Sequence, residues 1–376
     1  MKQENWRVRV GVDLHTLEGL HQGSRTHCLE LFSRVPHLLP QAEFVLLADL
    51  NRWDKAAEAR LAAPNVTFAH MPHKSSIERL AVQLPALVHT HRLDLLHTQY
   101  IAPLRLACAS AVTVHDILFE DFPEFFTWFF RMRSRLLVRR SARCAQIVCS
   151  VSEFSKNDLV ARYGIPADRI TVTYNAADLT RFCPGDQGRD EVRALGLVPG
   201  EYLLTVGRLE PRKNHLRLLR AYAALPAPRP QLAVVGQRDF RFAEILRLRD
   251  ELGLGRDVLF LEQVSDAALP ALYRHACLFV YPTLAEGFGM PVIEAMASGV
   301  PVITAFTTAL PEVAGDAAVM IDPYDQNNLA ATLQQVLGDR TWRARMSAKG
   351  LVQARRFSWD TEAEKLAAAY RAHFGL

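Results

Sequence analysis

At 376 residues, 49% hydrophobic and 22% charged, the chain is too apolar for disorder and too long for a single hydrophobic core to keep growing, so two folded domains are expected. A net charge of only +4, from 44 basic and 40 acidic residues, excludes nucleic acid as the main partner. No apolar run reaches about 18 residues, so no membrane-crossing helix is expected, and six scattered cysteines without a CxxC pair or zinc-type spacing read as reduced, mostly buried thiols of a cytoplasmic protein.

The polar start, Met1 to Trp6, carries no apolar signal-peptide core and leads straight into an alternating stretch. From there short β-rich runs alternate with helical patterns, the signature of βαβ units and parallel sheets, so the fold class is α/β. The first half offers strands at Val8–Leu14, Phe44–Ala48, Leu93–Thr98, Ala111–His115, Gln146–Ser150 and Ile170–Tyr174. Helical stretches lie at His27–Leu38 and Ile77–His91, and a small-residue loop, Gly19 to Ser24, follows the first strand. An aromatic cluster, Phe125, Phe126, Trp128, Phe129 and Phe130, runs into Arg131, Arg133, Arg135, Arg139, Arg140 and Arg143 within one predicted helix. That helix reads in two ways: as a membrane-surface helix, or as a surface helix whose aromatic face packs on its own domain.

Between Asp178 and Gly200 the chain turns polar and gains Pro184, Gly185, Gly188 and Pro199, a linker composition that sets the domain boundary, with 1–180 as the first domain and 181–357 as the second. The second domain offers strands at Tyr202–Val206, Leu232–Val235, Val258–Leu261, Leu278–Tyr281, Val300–Thr304 and Ala318–Ile321. A closing segment, 358–376, carries an amphipathic helix from about Trp359 to Phe374 with Leu366, Ala369, Tyr370 and Phe374 on one face.

The richest segment runs from Tyr281 through Glu286-Gly287-Phe288-Gly289-Met290 to Glu294 and Gly299, in the order strand, glycine-rich turn, helix, strand. The amides of Gly287 to Met290 then lie near a helix N-terminus, where N–H groups suit an anionic or hydroxyl-rich ligand. Glu286 falls in the turn and Glu294 two helical turns further on, among Val292, Ile293, Ala295 and Met296, where a carboxylate needs a partner. A second segment, Leu203 to Asn214, is a strand running into a loop with Gly207, Arg208, Arg212 and Lys213; cations so placed suit a phosphate ligand and would neutralise a diphosphate leaving group without a metal. In the first half, His115-Asp116 stands at the carboxyl end of a strand, where open α/β sheets bind ligands.

These segments resemble the family 4 retaining glycosyltransferases of the GT-B fold, whose hallmark is a Glu, seven residues, then Glu within a segment like this chain's EGFGMPVIEAMASGVPVI. The resemblance implies two Rossmann-like domains facing each other across a cleft, with the C-terminal helix crossing back to the first domain. It places Glu286 beside the transferred sugar, Glu294 on the ribose hydroxyls of the nucleotide, Arg208 and Lys213 on the diphosphate, and His115 in the active site, and it leaves Arg212 at the surface. The loop ending in Gly23 and Ser24 resembles the family's glycine-rich loop near the donor phosphates but has one central glycine where the family often has two or three. Ser150, Ser152, Glu153, Phe154, Ser155 and Asn175 match family segments that line the first domain's side of the cleft. The implied function is retaining transfer of a hexose, GDP-mannose being the expected donor, to a glycan or lipid-linked acceptor in surface polysaccharide synthesis, with no cofactor. Competing classes are a nucleotide-sugar epimerase and a non-catalytic sugar-nucleotide-binding protein. A nicotinamide oxidoreductase lacks its GxGxxG.

Overall fold

Runs of Val, Leu and Ile short enough for strands, buried on both faces, form two parallel sheets in the computed structural model, which describes residues 8–17, 23–52, 55–72, 74–265 and 267–376. One unit comprises Met1–Asn175 with Ser358–Leu376, the other Ala176–Phe357. Met1 to Trp6 and the loop residues Gly19 to Gln22 lie outside the described residues.

The first unit holds β1 (Val8–Asp13), β2 (Ala42–Ala48), β3 (Val66–His70), β4 (Leu95–Gln99), β5 (Ala109–Val114), β6 (Ile147–Ser150) and β7 (Ile170–Val172), a seven-stranded sheet in the order β3-β2-β1-β4-β5-β6-β7. β3 is a strand the sequence pattern did not offer. It lies at the sheet edge with only Ala69 buried, so its apolar signal is weak. The expected helix over 27–38 starts earlier and is broken into Gly23–Phe32 and Val35–Leu38, because Pro36 cannot donate to the helix ladder. The stretch expected as one helix over 77–91 is Ser76–Glu78, a π-turn at Arg79–Gln83, and Leu84–His91.

The aromatic–arginine segment departs further from expectation. Phe125 ends a short 3-10 turn, and the helix is Trp128–Cys144, capped by the Thr127 hydroxyl. Its inward stripe is Ser134, Val138, Ser141 and Ala142, at the spacing of one helical face. Phe126 and Phe130 stack on each other and meet Phe119 edge to face, but Trp128 and Phe129 are each 71% exposed and Leu136 69%. An aromatic face packed wholly on its own domain is therefore corrected: small residues take the inward positions, and most of the large apolar ones point to solvent.

The last helix, Trp359–Phe374, belongs to the first unit and lies against the helices Gly23–Phe32 and Val35–Leu38. Its buried stripe is Trp359, Glu362, Ala363, Leu366, Ala367 and Tyr370. Polar bonds help fix it: His97 Nδ1 lies 2.5 Å from the Tyr370 hydroxyl, and Glu362 accepts from the Tyr174 amide at 3.0 Å.

The second unit holds β8 (Tyr202–Val206), β9 (Gln231–Val235), β10 (Val258–Leu261), β11 (Leu278–Tyr281), β12 (Val302–Ala305) and β13 (Ala318–Ile321) in the order β10-β9-β8-β11-β12-β13. Leu203, Val234, Leu278, Val280 and Ile303 from the strands pack with Leu218, Leu219 and Tyr222 of the helix after β8. All six cysteines are free thiols; Cys28 and Cys149 are buried, Cys144 is exposed, and the other three lie between. Among the described residues no helix is long and apolar enough to cross a membrane.

Candidate active site

In the second sheet the order reverses between β8 and β11, so the loops leaving these two strands flank the crevice where open parallel sheets bind ligands. After β8 the chain passes Gly207 and Arg208, makes a 3-10 turn at Pro211–Lys213, and enters the helix His215–Ala223 through Asn214 in the left-handed region at φ 62°. The buried Asn214 amide donates to Pro282 O at 2.9 Å and Pro323 O at 2.8 Å, tying this loop to those after β11 and β13. Gly207 has a steric role: a Cβ there would come within 3.3 Å of the Lys213 stem.

After β11 the turn carries Glu286 inward, 8% exposed. Lys213 Nζ donates to Glu286 Oε1 at 2.6 Å and to the Tyr281 hydroxyl at 2.7 Å, and that hydroxyl donates to Oε1 at 2.9 Å. Thr283 Oγ1 lies 2.9 Å from the same oxygen, while Arg212 Nη1 pairs with Oε2 at 3.1 Å. Burial alone would raise the Glu286 carboxyl; the Arg212 and Lys213 cations overcome it and bring the group down to about 2. With both cations in place Glu286 is held as the carboxylate. Burial in turn holds the Lys213 ammonium below its ordinary range.

The turn then reaches Gly287, Phe288, Gly289 and the helix Met290–Ala297, with Gly289 at φ 103°, a conformation costly for other residues. The Phe288 ring is buried against Phe357 edge to face, so only its backbone faces the turn. Glu294 is half-buried, and its Oε2 accepts from the Tyr273 hydroxyl at 2.8 Å, the partner its apolar helix demands. Arg208 pairs with Asp239 at 2.9 Å and keeps a third of its side chain exposed. Gly207, Arg208, Lys213, Glu286, Gly287, Gly289, Met290 and Glu294 thus belong to the loops and helix at one edge of this sheet. Arg212, expected at the surface, is instead inside this network with 19% of its side chain exposed, because the Glu286 turn folds over it.

In the first unit, His115 follows β5 and is buried, its Nε2 2.8 Å from Gln99 Oε1 and its ring 5.1 Å from that of His27. Burial, reinforced by His27 and His97, pushes it well below the usual histidine range, so the ring is neutral. His27 Nδ1 lies 2.9 Å from Asn175 Oδ1. Gly23 and Ser24 are the first residues of the helix Gly23–Phe32. Ser152 caps the helix Glu153–Tyr163 by accepting from the Ser155 amide at 3.0 Å, and Ser155 Oγ donates to His115 O at 2.9 Å, so these serines hold the loop behind His115.

A family model for glycosyl transferases group 1 matches residues 191–352, and one for glycosyltransferase family 4 matches residues 23–181. The chain is 35% identical over 280 residues to the O-antigen chain mannosyltransferase B of Escherichia coli, covering 72% of each. The chain belongs to the family 4 glycosyltransferases. This membership sets aside the epimerase, oxidoreductase and non-catalytic readings. The transferase also superposes on a sucrose-phosphate synthase from Thermosynechococcus elongatus with a TM-score of 0.81 at 20% identity, covering 98% of this chain and 100% of that one. It superposes on Anabaena HepE, solved in complex with UDP and glucose, with a TM-score of 0.76 at 20% identity, covering 97% and 100%. At that identity the likeness speaks for the fold, which is of the GT-B type.

Side chains of the transferase's charged edge that were not singled out from sequence include Tyr273, Tyr281, Thr283, Asn214, Glu210 and Asp239. Tyr281 ends β11 with its side chain fully buried, and a tyrosine beside a site motif at a strand end was a usable signal. Tyr273 had none, standing 21 residues from the carboxylate it serves.

Proposed function

We propose that the transferase is a retaining mannosyltransferase that takes its sugar from a nucleoside diphosphate donor and adds it to a glycan or lipid-linked acceptor in surface polysaccharide synthesis. The observation that carries the reading is the meeting of Lys213 and Glu286 at 2.6 Å, at the reversal point of the second sheet. A buried cation stands there beside a buried, ionised carboxylate, the two groups a departing diphosphate and a hydroxyl-rich sugar require. In this reading Arg208 and Lys213 bind the diphosphate, Glu286 the sugar hydroxyls, Glu294 the ribose, and the backbone of Gly287, Phe288, Gly289 and Met290 the sugar and phosphate oxygens. Gly207 makes room for the lysine, and Gly23 and Ser24 approach the donor phosphates. The acceptor hydroxyl attacks from the face the diphosphate leaves, through an oxocarbenium-like state, so the sugar keeps its configuration and no side chain acts as nucleophile. His115, neutral, offers hydrogen bonds in the active site rather than a charge. The mannose assignment is supported by the Escherichia coli mannosyltransferase relative, and GDP-mannose is the donor proposed.

The protein's own cations do the work a metal would do, so none is proposed. The test is transfer to acceptor from GDP-mannose, GDP-fucose, UDP-glucose and UDP-galactose, with and without chelator. Chelator-insensitive transfer of mannose with retained configuration supports the reading. Inversion, metal dependence or a different sugar removes the corresponding part of it.

The exposed stripe of Trp128, Phe129, Met132 and Leu136, flanked by exposed Arg133, Arg135, Arg139 and Arg143, favours a peripheral contact with an anionic membrane. Sedimentation with anionic but not neutral liposomes, lost in Trp128→Ala/Phe129→Ala, is the expected result. No sedimentation with either would overturn it.

A further inference from the structure

Glu286 has two cationic partners, and they differ in what holds them. Lys213 reaches it with one ammonium on a flexible stem, donating to Oε1 and to Tyr281. Arg212 reaches the other oxygen, Oε2, while the same guanidinium donates to Ala285 O at 2.6 Å and to Glu210 Oε1 at 2.7 Å. Its backbone is bound to the same turn: the Leu284 amide donates to Arg212 O at 2.8 Å, and Thr283 Oγ1 donates to that carbonyl at 3.0 Å. Arg212 is thus fastened to residues 283–286 by main chain and side chain, whereas Lys213 reaches that turn through its ammonium.

A donor diphosphate brings negative charge that competes with Glu286 for Lys213. If the lysine turns to the phosphates, a carboxylate buried this deeply loses its closest cation, and an uncompensated buried carboxylate takes up a proton or moves toward water. Either change would remove the anion set beside the transferred sugar. We propose that Arg212 is a positioning residue for the transfer reaction: it holds Glu286 ionised and in place while Lys213 is handed to the donor diphosphate. The proposal rests on the donor-site reading above. A guanidinium suits the task, since it stays charged and spreads five donors over a fixed planar fork, where a lysine has three rotatable donors on a single atom.

The test uses Arg212→Gln and Arg212→Lys in the full chain. Binding of GDP and UDP is measured by calorimetry, and turnover is followed across pH at saturating donor. In Arg212→Gln the diphosphate that binds the wild type still binds, because Arg208 and Lys213 remain, while kcat falls about 10²-fold through misplacement of Glu286. The acid limb of the kcat profile, which reports groups in the bound complex, moves upward relative to wild type. Arg212→Lys restores the position of that limb and recovers only part of kcat. Wild-type kcat and an unmoved acid limb in Arg212→Gln would overturn the proposal, as would parallel loss of diphosphate binding and kcat with no change in pH profile. Should circular dichroism show Arg212→Gln unfolded, Arg212→Lys decides alone: full wild-type kcat overturns the proposal, and reduced kcat with intact diphosphate binding upholds it. If the wild type binds neither diphosphate, the donor-site reading fails and takes the proposal with it. Wild-type binding with turnover indifferent to residue 212 sinks the proposal alone.

Discussion

The two sheets of this transferase end in crevices of the same topology and different electrostatics. At the carboxyl edge of the second sheet, Glu210, Arg212, Glu286 and Lys213 form an alternating run of buried or half-buried charges, each within 3.1 Å of an opposite one. In the first unit a largely buried pair, Asp13 with Arg79, stands at the end of β1, while His27, His97 and His115 are kept neutral by burial: His27 is lowered to about 4 and His97 to about 3. The unit proposed to receive a diphosphate joins two cations and two carboxylates in one network, whereas the unit proposed to meet a hydroxyl holds those neutral histidines as well as the Asp13–Arg79 pair. A parallel sheet supplies the crevice, and the loop residues decide how ionic it is.

The largest effect that tests this contrast is on turnover. Lys213→Ala removes the proposed leaving-group cation and leaves Glu286 less compensated, so kcat at saturating donor should fall by about 10²-fold or more. Arg208→Ala should fall in the same direction, and unchanged turnover in both would dissolve the distinction between the units. The second effect is on stability in acid. His27 has its folded pKa depressed below its ordinary 6.5, to about 4, so the unfolded chain binds more protons in that window and stability is lost as pH falls below about 6.5. The sum for His27 alone is on the order of 3 kcal/mol. Glu286, lowered from 4.5 to about 2, contributes stability that is complete above about pH 4.5 and is lost only as pH falls toward 2. Among the described residues, buried histidines depressed in this way number three in the first unit (His27, His97 and His115), while the second holds His215, lowered to about 4. Hydrogen exchange followed from pH 7 to 5 should therefore show protection falling further in residues 8–175 than in residues 176–357, and the reverse would break the comparison.

Smaller effects sharpen it. Tyr370→Phe removes the partner of the buried His97 Nδ1 and should destabilise the first unit by about 1–3 kcal/mol in urea unfolding. Tyr273→Phe removes the hydroxyl that holds Glu294. It should weaken nucleoside diphosphate binding by about 1 kcal/mol, roughly fivefold in Kd by calorimetry, with little change in kcat.

Residues whose meaning depends on neighbours in the chain were legible, and residues whose meaning depends on a distant turn were not. The strand–turn–helix order around Glu286 and Glu294, and the cationic loop after β8, are local patterns, and the fold brought them to one edge. Arg212 read as a surface residue because the turn that covers it lies 73 residues away. The edge strand β3 escaped because one buried alanine leaves no apolar run to notice. The helix at Trp128–Cys144 was visible, but its inward face was not, since Ser134, Ser141 and Ala142 carry little hydropathy while the aromatics beside them carry a great deal. Small residues pack closely against a sheet, and that preference is set by the sheet's surface rather than by the helix.

The return of the last helix to the first unit has a consequence for biosynthesis. His97 meets its partner Tyr370 across 273 residues of chain, whereas Ala176–Phe357 is contiguous. On the ribosome the second unit can therefore finish folding while the first, made earlier, still waits for its closing piece, and a chaperone that shields exposed apolar surface would be needed longest by the half that emerges first.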